Sequence, residues 1–367
     1  MTFTPPAERT PVSIITGFLG SGKTTLLNRL LQHPGMAGAA VIINEFGEIG
    51  LDHLLVATPS ENTVLLSSGC ICCTVRGDLV DTLRDLFSRR ADGTLPVFDR
   101  VVIETTGLAD PVPIIQTVVT DEKVAPRFVL DSVVTLVDGV NGALQLDQQA
   151  ESVKQAAVAD RLLITKADLA PPATIEALRA RLAHINPGAQ IFTVVHGQIA
   201  PESLFGAALS RADASGGEVA RWLGEDAVAE HESPHGHAHD VNRHDDHIRA
   251  YCLYLDQPVS AAGLTAWLIA LASLRGANLL RVKGLLNVEG QPVAVHAVQT
   301  LIHEPLTLAR WPDADRRSRL VFITRDMARA SIESTLDVLR WRETPRKQQT
   351  LDPRAYADFV AALEKFR

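Results

Sequence analysis

The sequence has few cysteines and no surplus of positive charge. Four of its 367 residues are cysteines and three of these fall within four residues, which excludes the disulfide framework of a small secreted domain. Asp and Glu (43) outnumber Lys and Arg (35), so the formal net charge is −8. A chain of this charge has no general attraction to phosphate backbones, and we expect no nucleic-acid partner.

Long hydrophobic runs are also missing. No segment reaches the roughly 18 to 20 consecutive apolar residues that a membrane span needs, and residues 1–13 lack the apolar stretch of a secretory signal. These absences predict a cytoplasmic protein with no membrane partner. With 46% hydrophobic residues, the chain can still bury a sizeable core, and its length predicts two domains.

Short β-branched runs alternate with helical stretches through the first half of the chain. The runs predict seven strands, at residues 12–16, 39–44, 63–66, 100–104, 132–138, 161–165 and 189–195. This alternation is typical of an α/β domain whose mostly parallel sheet is flanked by helices. We expect that domain to span residues 1–225.

A histidine-rich segment separates this region from the rest. Six of the twelve histidines lie within residues 231–247, among almost no apolar residues, which predicts a linker over residues 226–247. Apolar periodicity then resumes, with a helix predicted over residues 260–275 and strands near 279–288, 293–298 and 320–324. Residues 248–367 are therefore expected to form a smaller C-terminal α+β domain.

The segment GFLGSGKTT at residues 17–25 fits the pattern GxxxxGK[ST], between a predicted strand and a helix predicted over residues 24–32. Its glycines let backbone N–H groups face the phosphates of a nucleotide, Lys23 can reach the β- and γ-phosphates, and the Thr24 hydroxyl can ligate Mg²⁺. A glycine-rich turn without a ligand is the alternative. The candidate nucleotide-binding residues here are Gly17, Gly20, Ser21, Gly22, Lys23, Thr24 and Thr25.

A second strand end carries VVIETTG at residues 101–107. Glu104 can hold Mg²⁺ through a water molecule, and the N–H of Gly107 can sense a γ-phosphate. With Lys23 and Thr24, Glu104 makes up the candidate catalytic set. The alternative is a strand end with a capping Thr and no ligand.

A third strand end, LLITKAD at residues 162–168, is similar to the guanine-reading pattern NKxD, with Thr165 in place of Asn. The carboxylate of Asp168 can accept from both N1–H and the 2-amino group of guanine, and Lys166 can lay its stem along the ring. A helix-capping role for Asp168 is the alternative. His196 follows the last predicted strand and is a further candidate for the base pocket.

Cysteines cluster in GCICC at residues 69–73. In an extended chain Cys70 and Cys72 share one face and Cys73 the other, so a tetrahedral Zn²⁺ needs further ligands. Glu48 and His53, which follow the second predicted strand, offer a carboxylate and an imidazole. The alternative is that small cysteines pack against the sheet.

The histidine-rich linker is a weaker candidate for metal binding. His235, His237 and His239 alternate at two-residue spacing, and a flexible chain can wrap them around Zn²⁺, Ni²⁺ or Co²⁺. An inert, solvated spacer remains the alternative.

Together, these motifs resemble those of the CobW-like GTPases, the family of the CobW, HypB and UreG type, with most likeness to its zinc-chaperone, YjiA-like members. The resemblance runs from GFLGSGKTT through NEFGEIGLD, GCICC, ETTGLADPVPI and TKAD to RVKGLL at residues 281–286. It implies a P-loop NTPase domain followed by a CobW-type C-terminal domain. The family tolerates Thr at the position of Thr165.

The resemblance also implies a function. It implies that GTP is hydrolysed with Mg²⁺ and that a transition metal is delivered to a metalloenzyme client, commonly Zn²⁺ and in some branches Co²⁺ or Fe²⁺, with Ni²⁺ a further candidate. The CxCC thiolates and Glu48 would bind that ion near the γ-phosphate. One departure is Ile43, because YjiA-like members often carry a Glu there that can join a metal site. The oligomeric state stays open.

Two other functions compete with this one. A P-loop small-molecule kinase would use the phosphate loop and Mg²⁺ but would leave CxCC and TKAD without a role. A metal store or sensor that does not require hydrolysis would use the cysteines and histidines but would not need the phosphate loop. The sequence has no obvious arginine finger and no Gln at the water-positioning place, which predicts slow hydrolysis.

Overall fold

A computed structural model describes residues 9–44, 64–68, 76–209, 211–224, 247–275 and 278–341. The strands of the N-terminal domain are β1 (Thr10–Gly17), β2 (Ala39–Asn44), β3 (Val64–Ser68), β4 (Arg100–Glu104), β5 (Phe128–Asp138), β6 (Arg161–Thr165) and β7 (Gln190–Val194). They form one seven-stranded sheet in the order β3-β2-β4-β1-β5-β6-β7. Every neighbouring pair is parallel, which confirms the predicted sheet.

Helices cover both faces of this sheet. They are α1 (Lys23–Leu31), α2 (Arg76–Ala91), α3 (Val112–Thr120), α4 (Gly142–Gln148), α5 (Ala150–Ala157), α6 (Pro172–Ile185) and α7 (Gly216–Leu223). Successive residues of a strand point to opposite faces. Ile14 of β1 therefore packs in a core with α2 and α3, while Ile15 packs against α1. Burial on both faces explains the continuous apolar runs.

Strand bounds differ from the prediction mainly in β3 and β5. β3 covers residues 64–68 rather than 63–66, and β5 begins at Phe128 rather than at residue 132. Asp131 interrupts the apolar pattern of β5, and the pairing with β1 shifts between Val12 and Ser13, which leaves Asp131 unpaired in a bulge. The Ser13 hydroxyl donates to its carboxylate (3.0 Å). Because this bulged acidic residue interrupts the apolar run, the sequence pattern does not predict the first half of the strand.

The C-terminal domain is an antiparallel sheet with helices on one face. Its elements are β8 (Ile248–Leu255), α8 (Ala261–Arg275), β9 (Leu279–Val288), β10 (Gln291–Val298), β11 (Leu301–Ile302), β12 (Leu306–Thr307), β13 (Ser318–Arg325) and α9 (Arg329–Leu336). The strand order is β11-β10-β9-β13-β8, and β12 pairs with β10. Trp267 of α8 is buried against Phe322 of β13, and the expected α+β domain is confirmed. No helix in the described ranges is long and apolar enough to cross a bilayer.

The other face of this second sheet packs against the N-terminal domain. Ile248, Leu280 and Ile323 share a core with α5 and α6. Trp222 of α7 packs with Leu285 in a neighbouring core. Apart from His247, the predicted linker lies outside the described residues, so the domain boundaries stay predictions.

Candidate nucleotide and metal site

The loop between β1 and α1 has a conformation that favours glycine. Gly17, Gly20 and Gly22 have positive φ, at 140°, 74° and 92°. A Cβ on Gly17 would lie 2.4 Å from the backbone oxygen of Leu136, so another residue would push β1 away from β5. Gly22 is the N-cap of α1, and the loop leads directly into the positive end of that helix.

Two polar side chains lie inside this loop. Lys23 is buried, and its Nζ donates to the backbone oxygens of Gly17 (2.8 Å) and Phe18 (3.2 Å). The Ser21 hydroxyl is also buried and has no hydrogen-bond partner within the described residues. Leaving such a group unpaired costs about 1–3 kcal/mol, and a phosphate oxygen would satisfy it. At the start of α1, Thr24 is half-buried.

The loop after β4 packs directly on the phosphate loop. Glu104 is buried at the end of β4, beside β1. The Thr105 hydroxyl donates to the hydroxyl of Thr16 (2.8 Å). A Cβ on Gly107 would come within 2.6 Å of the backbone nitrogen of Leu19, so only glycine allows the two loops to approach this closely. The structure therefore brings Glu104 and Gly107 to the phosphate loop.

The end of β6 is tied to the same loop. The Thr165 hydroxyl donates to the backbone oxygen of Ser21 (2.7 Å). Lys166 Nζ donates to the buried Oδ2 of Asp138 (2.7 Å). Burial opposes ionisation of Asp138, but hydrogen bonds from Lys166 and from the following turn hold its pKa below the usual value. The Thr that replaces Asn in the base motif thus anchors the phosphate loop.

Asp168 and His196 approach each other from neighbouring loops. The distance between Asp168 Oδ2 and His196 Nε2 is 3.9 Å, and both side chains are partly exposed. His196 has a φ of 50°, in the left-handed region, where the chain turns after β7. The structure therefore brings together two of the polar candidates for the base pocket, Asp168 and His196.

One contact with this site is made by a residue outside every sequence motif. Gln155 of α5 is buried, and its Nε2 donates to the backbone oxygens of Ala109 (2.9 Å) and Gly107 (3.3 Å). Its Oε1 is buried without a hydrogen-bond partner in the described part of the chain. A glutamine on a helix matches no sequence pattern. Asp138 also lies outside the motifs. Its position at the end of β5 could have indicated it, because the same position at the end of β4 indicates Glu104.

The candidate ligands of a transition metal lie outside the described residues: Cys70, Cys72, Cys73 and Glu48, with His235, His237 and His239. β2 and β3 end shortly before Glu48 and Cys70, at the same edge of the sheet as β1 and β4. Ile43, near the end of β2, is buried. Within the described ranges, no group of three or more His, Cys, Asp or Glu could hold a metal ion.

A parallel sheet with a GxxxxGKT loop between its first strand and first helix defines a P-loop nucleotide-binding protein. The sequence matches the profile of the CobW/HypB/UreG nucleotide-binding domain over residues 11–193. It also matches that of the cobalamin synthesis protein cobW C-terminal domain over residues 248–340. The chain belongs to the CobW/HypB/UreG family.

Similar proteins span nearly its whole length. The zinc chaperone YjiA of Escherichia coli is 36% identical over 90% of this chain and 98% of its own. The zinc chaperone CobW of Pseudomonas aeruginosa is 30% identical over 89% of this chain and 90% of its own. The crystal structure of Zn(II)-bound YjiA GTPase from E. coli matches with a TM-score of 0.67 at 32% identity, covering 91% of this chain and 99% of that one.

Proposed function

We propose that this protein is a GTP-hydrolysing metallochaperone. It binds a transition metal, with zinc as the first candidate, and transfers this metal to a client metalloprotein. Membership of the CobW/HypB/UreG family makes it a GTPase. The names of its relatives support zinc as the cargo. The observation that carries the proposal is the contact of the loops after β4 and β6 with the phosphate loop, at the edge where β2 and β3 also end.

The phosphates and magnesium ion of the nucleotide fit the residues of these loops. The buried Ser21 hydroxyl can donate to a phosphate oxygen, and Lys23 can exchange the carbonyls of Gly17 and Phe18 for the β- and γ-phosphates. We assign Thr24 and Glu104 to Mg²⁺, which neutralises charge on the β- and γ-phosphates when it is bound.

The guanine base is assigned to the loops after β6 and β7. Asp168 is the group that would accept from N1–H and the 2-amino group, and the stem of Lys166 would lie along the ring, with His196 at its edge. The Lys166–Asp138 ion pair supports this role, because it limits the orientations of the lysine. Thr165 is also assigned to nucleotide binding here, and its hydroxyl donates to the phosphate loop.

The metal is assigned to Cys70, Cys72 and Cys73 together with Glu48, and the histidine-rich segment with His235, His237 and His239 is a weaker loading site. Thiolates and imidazoles suit Zn²⁺, and the same donors accept Co²⁺, Ni²⁺ or Fe²⁺. Contact of the γ-phosphate with the segment after β2 would bring Glu48 to the thiolates, and hydrolysis would release the ion to the client.

The test is phosphate release from GTP and from ATP, with and without Zn²⁺. We expect slow, Mg²⁺-dependent turnover that prefers GTP, and a loss on the order of 100-fold or more in Lys23→Ala, since one charge-stabilising donor is worth about that much. Lys123→Ala, an exposed lysine outside these loops, is the matched control.

Each alternative has its own outcome in this assay. Preference for ATP would remove the guanine assignment of Asp168. Transfer of phosphate to an alcohol or acid acceptor would identify a kinase. Metal binding without any turnover would identify a store or sensor.

A further inference from the structure

A cavity of about 130 Å³ lies between the two domains. It is lined by the start of β6, residues 206–209, α7 and Lys283 of β9. Because the phosphate loop sits at the carboxyl ends of the parallel strands and Arg161 is the first residue of β6, the cavity is at the opposite edge of the sheet. It is therefore a different place from the nucleotide site.

The described lining of the cavity is unbalanced in charge. Four cationic residues line it, Arg161, Arg211, Arg221 and Lys283, together with the carboxylates Asp160 and Glu218. Arg211 is paired with Glu218 (3.2 Å) and with Asp213 (3.8 Å), which leaves Arg161, Arg221 and Lys283 with Asp160. A surplus of positive charge of this kind beside a cavity favours an anion as ligand.

Lys283 is the buried cation of this set. It is 6% exposed, its Nζ donates to the backbone oxygen of Trp222 (2.8 Å) and it lies 3.3 Å from Asp160 Oδ1. Asp160 also accepts from Arg281 and from the backbone N–H of Val133 (3.0 Å). Within the described residues, Lys283 therefore contacts one carboxylate, that of Asp160, and Arg281 contacts the same carboxylate.

The pKa of Lys283 reflects first its burial and then its cationic neighbour. Burial, and then the neighbouring Arg281, lower the pKa of Lys283 to about 7 despite the attraction of Asp160. An anion in the cavity would favour the protonated lysine and raise this pKa. The site thus gains a favourable interaction when an anion enters.

We propose that the cavity binds a small dianionic oxyanion, held by Lys283 from the C-terminal domain and by Arg161 and Arg221 from the N-terminal domain. Two negative charges match the surplus, and a volume near the ~150 Å³ of a cavity that takes up benzene suits phosphate or a short dicarboxylate rather than a nucleotide. Since its partners come from both domains, the ligand stabilises their packing.

The experiment uses the full chain saturated with GDP and Mg²⁺, so that the phosphate loop is already filled. Sulfate, inorganic phosphate and succinate are titrated by calorimetry and by thermal unfolding, against sodium chloride at equal ionic strength. We expect saturable binding and a higher unfolding midpoint with at least one dianion. Strongest binding of phosphate or sulfate identifies a tetrahedral ligand, and strongest binding of succinate identifies a dicarboxylate.

Variants separate this site from nonspecific salt effects. Arg221 is exposed at the rim, so Arg221→Gln should fold, and it should weaken binding about tenfold as one charge-assisted contact is lost. Lys283→Met should abolish binding. Arg340→Gln, an exposed arginine outside the cavity, should have no effect. A protein that does not hydrolyse GTP would contradict the proposed function but not this anion site, because anion binding is measured without hydrolysis.

Sulfate has the same charge at about pH 6 and about pH 8.5, so a change in its affinity reports on the protein. Affinity should fall at the higher pH, where Lys283 loses its proton. The charged and titratable groups that face this lysine are Asp160 and Arg161 at β6, Arg281 on its own strand and His296 on β10, and Arg221 and Glu218 of α7 line the same cavity. Burial keeps the pKa of His296 well below its usual value, so it is neutral at both pH values.

The proposal is overturned if no dianion raises the midpoint beyond chloride. It is equally overturned if Arg221→Gln binds as tightly as Arg340→Gln.

Discussion

Thr165 stands where the guanine-reading motif has asparagine, and its hydroxyl donates to a backbone oxygen of the phosphate loop rather than facing solvent. Thr165→Val keeps the shape of the side chain and removes this donor. We expect a loss of about 1–3 kcal/mol in the free energy of unfolding, since the buried oxygen of Ser21 loses its partner. Nucleotide affinity should fall as well.

Urea unfolding and GDP titration measure these two effects. Thr120→Val is the matched control, because Thr120 is exposed in α3 and its hydroxyl donates to the backbone oxygen of Gln116 in the same helix. If both variants behaved alike, the contact between β6 and the phosphate loop would have no energetic role.

At the scale of single elements, α5 joins the nucleotide site to the second domain. Near its middle, Gln155 donates to the loop that carries Gly107. Beyond its end, Arg281 of β9 donates to the backbone oxygens of Val158 (2.6 Å) and Ala159 (2.7 Å). The helix thus connects the loop after β4 with the second domain.

Gln155→Leu removes both hydrogen bonds that the side chain donates to the loop after β4, with little change in side-chain volume. If that loop contacts the γ-phosphate, a non-hydrolysable GTP analogue should bind several-fold more weakly to the variant, while GDP affinity stays near that of the wild type. Fluorescent-nucleotide titrations measure both. Gln148→Leu, an exposed glutamine on α4, is the control. Equal weakening of GDP and the GTP analogue would contradict a γ-phosphate role for this loop.

Asp160 makes the contact between domains sensitive to acid. Burial disfavours its charge, but Arg281 and Lys283 outweigh burial and lower its pKa to about 2. The pKa in the folded state is therefore below that in the unfolded chain, so the stabilisation is complete above about pH 4 and is lost as the pH falls towards 2.

The measurement for Asp160 is the free energy of unfolding against pH. The wild type should lose about 2 kcal/mol relative to Asp160→Asn between about pH 4 and pH 2. Asp337→Asn, an exposed carboxylate on the C-terminal domain, controls for general acid effects. Parallel pH curves for the wild type and Asp160→Asn would refute the role of this carboxylate.

Local sequence patterns predict much of the fold of this protein, whereas contacts between distant segments of the chain could not be predicted. Apolar runs and the GxxxxGKT motif predict the parallel sheet and its phosphate loop, because these depend on neighbouring residues. The bulge at Asp131, the role of Gln155 and the Arg281–Asp160 contact could not be predicted, since each joins residues far apart in the chain. The three loops at one sheet edge follow from topology alone.

The two domains depend on each other more than the predicted linker suggests. Trp222, which precedes that linker in sequence, is buried with residues of the second sheet, and Arg281 reaches into the first domain. A chain ending near residue 240 should still bind nucleotide, because the phosphate loop lies at the other edge of the sheet, but it should unfold at lower temperature. Thermal unfolding with and without GDP tests this, and a fragment that does not bind GDP would contradict it.

The proposed function requires that metal and nucleotide binding are coupled. Competition titrations with a zinc chelator, in GDP and in a non-hydrolysable GTP analogue, measure it most directly. We predict zinc binding about 5- to 150-fold tighter in the GTP state, and GTP binding tighter by the same factor when zinc is present. Cys70→Ala with Cys72→Ala should abolish zinc binding, whereas Cys252→Ala, a buried cysteine of the second domain, should not. Equal zinc affinities in both nucleotide states, or zinc binding unchanged in the double variant, would contradict the account.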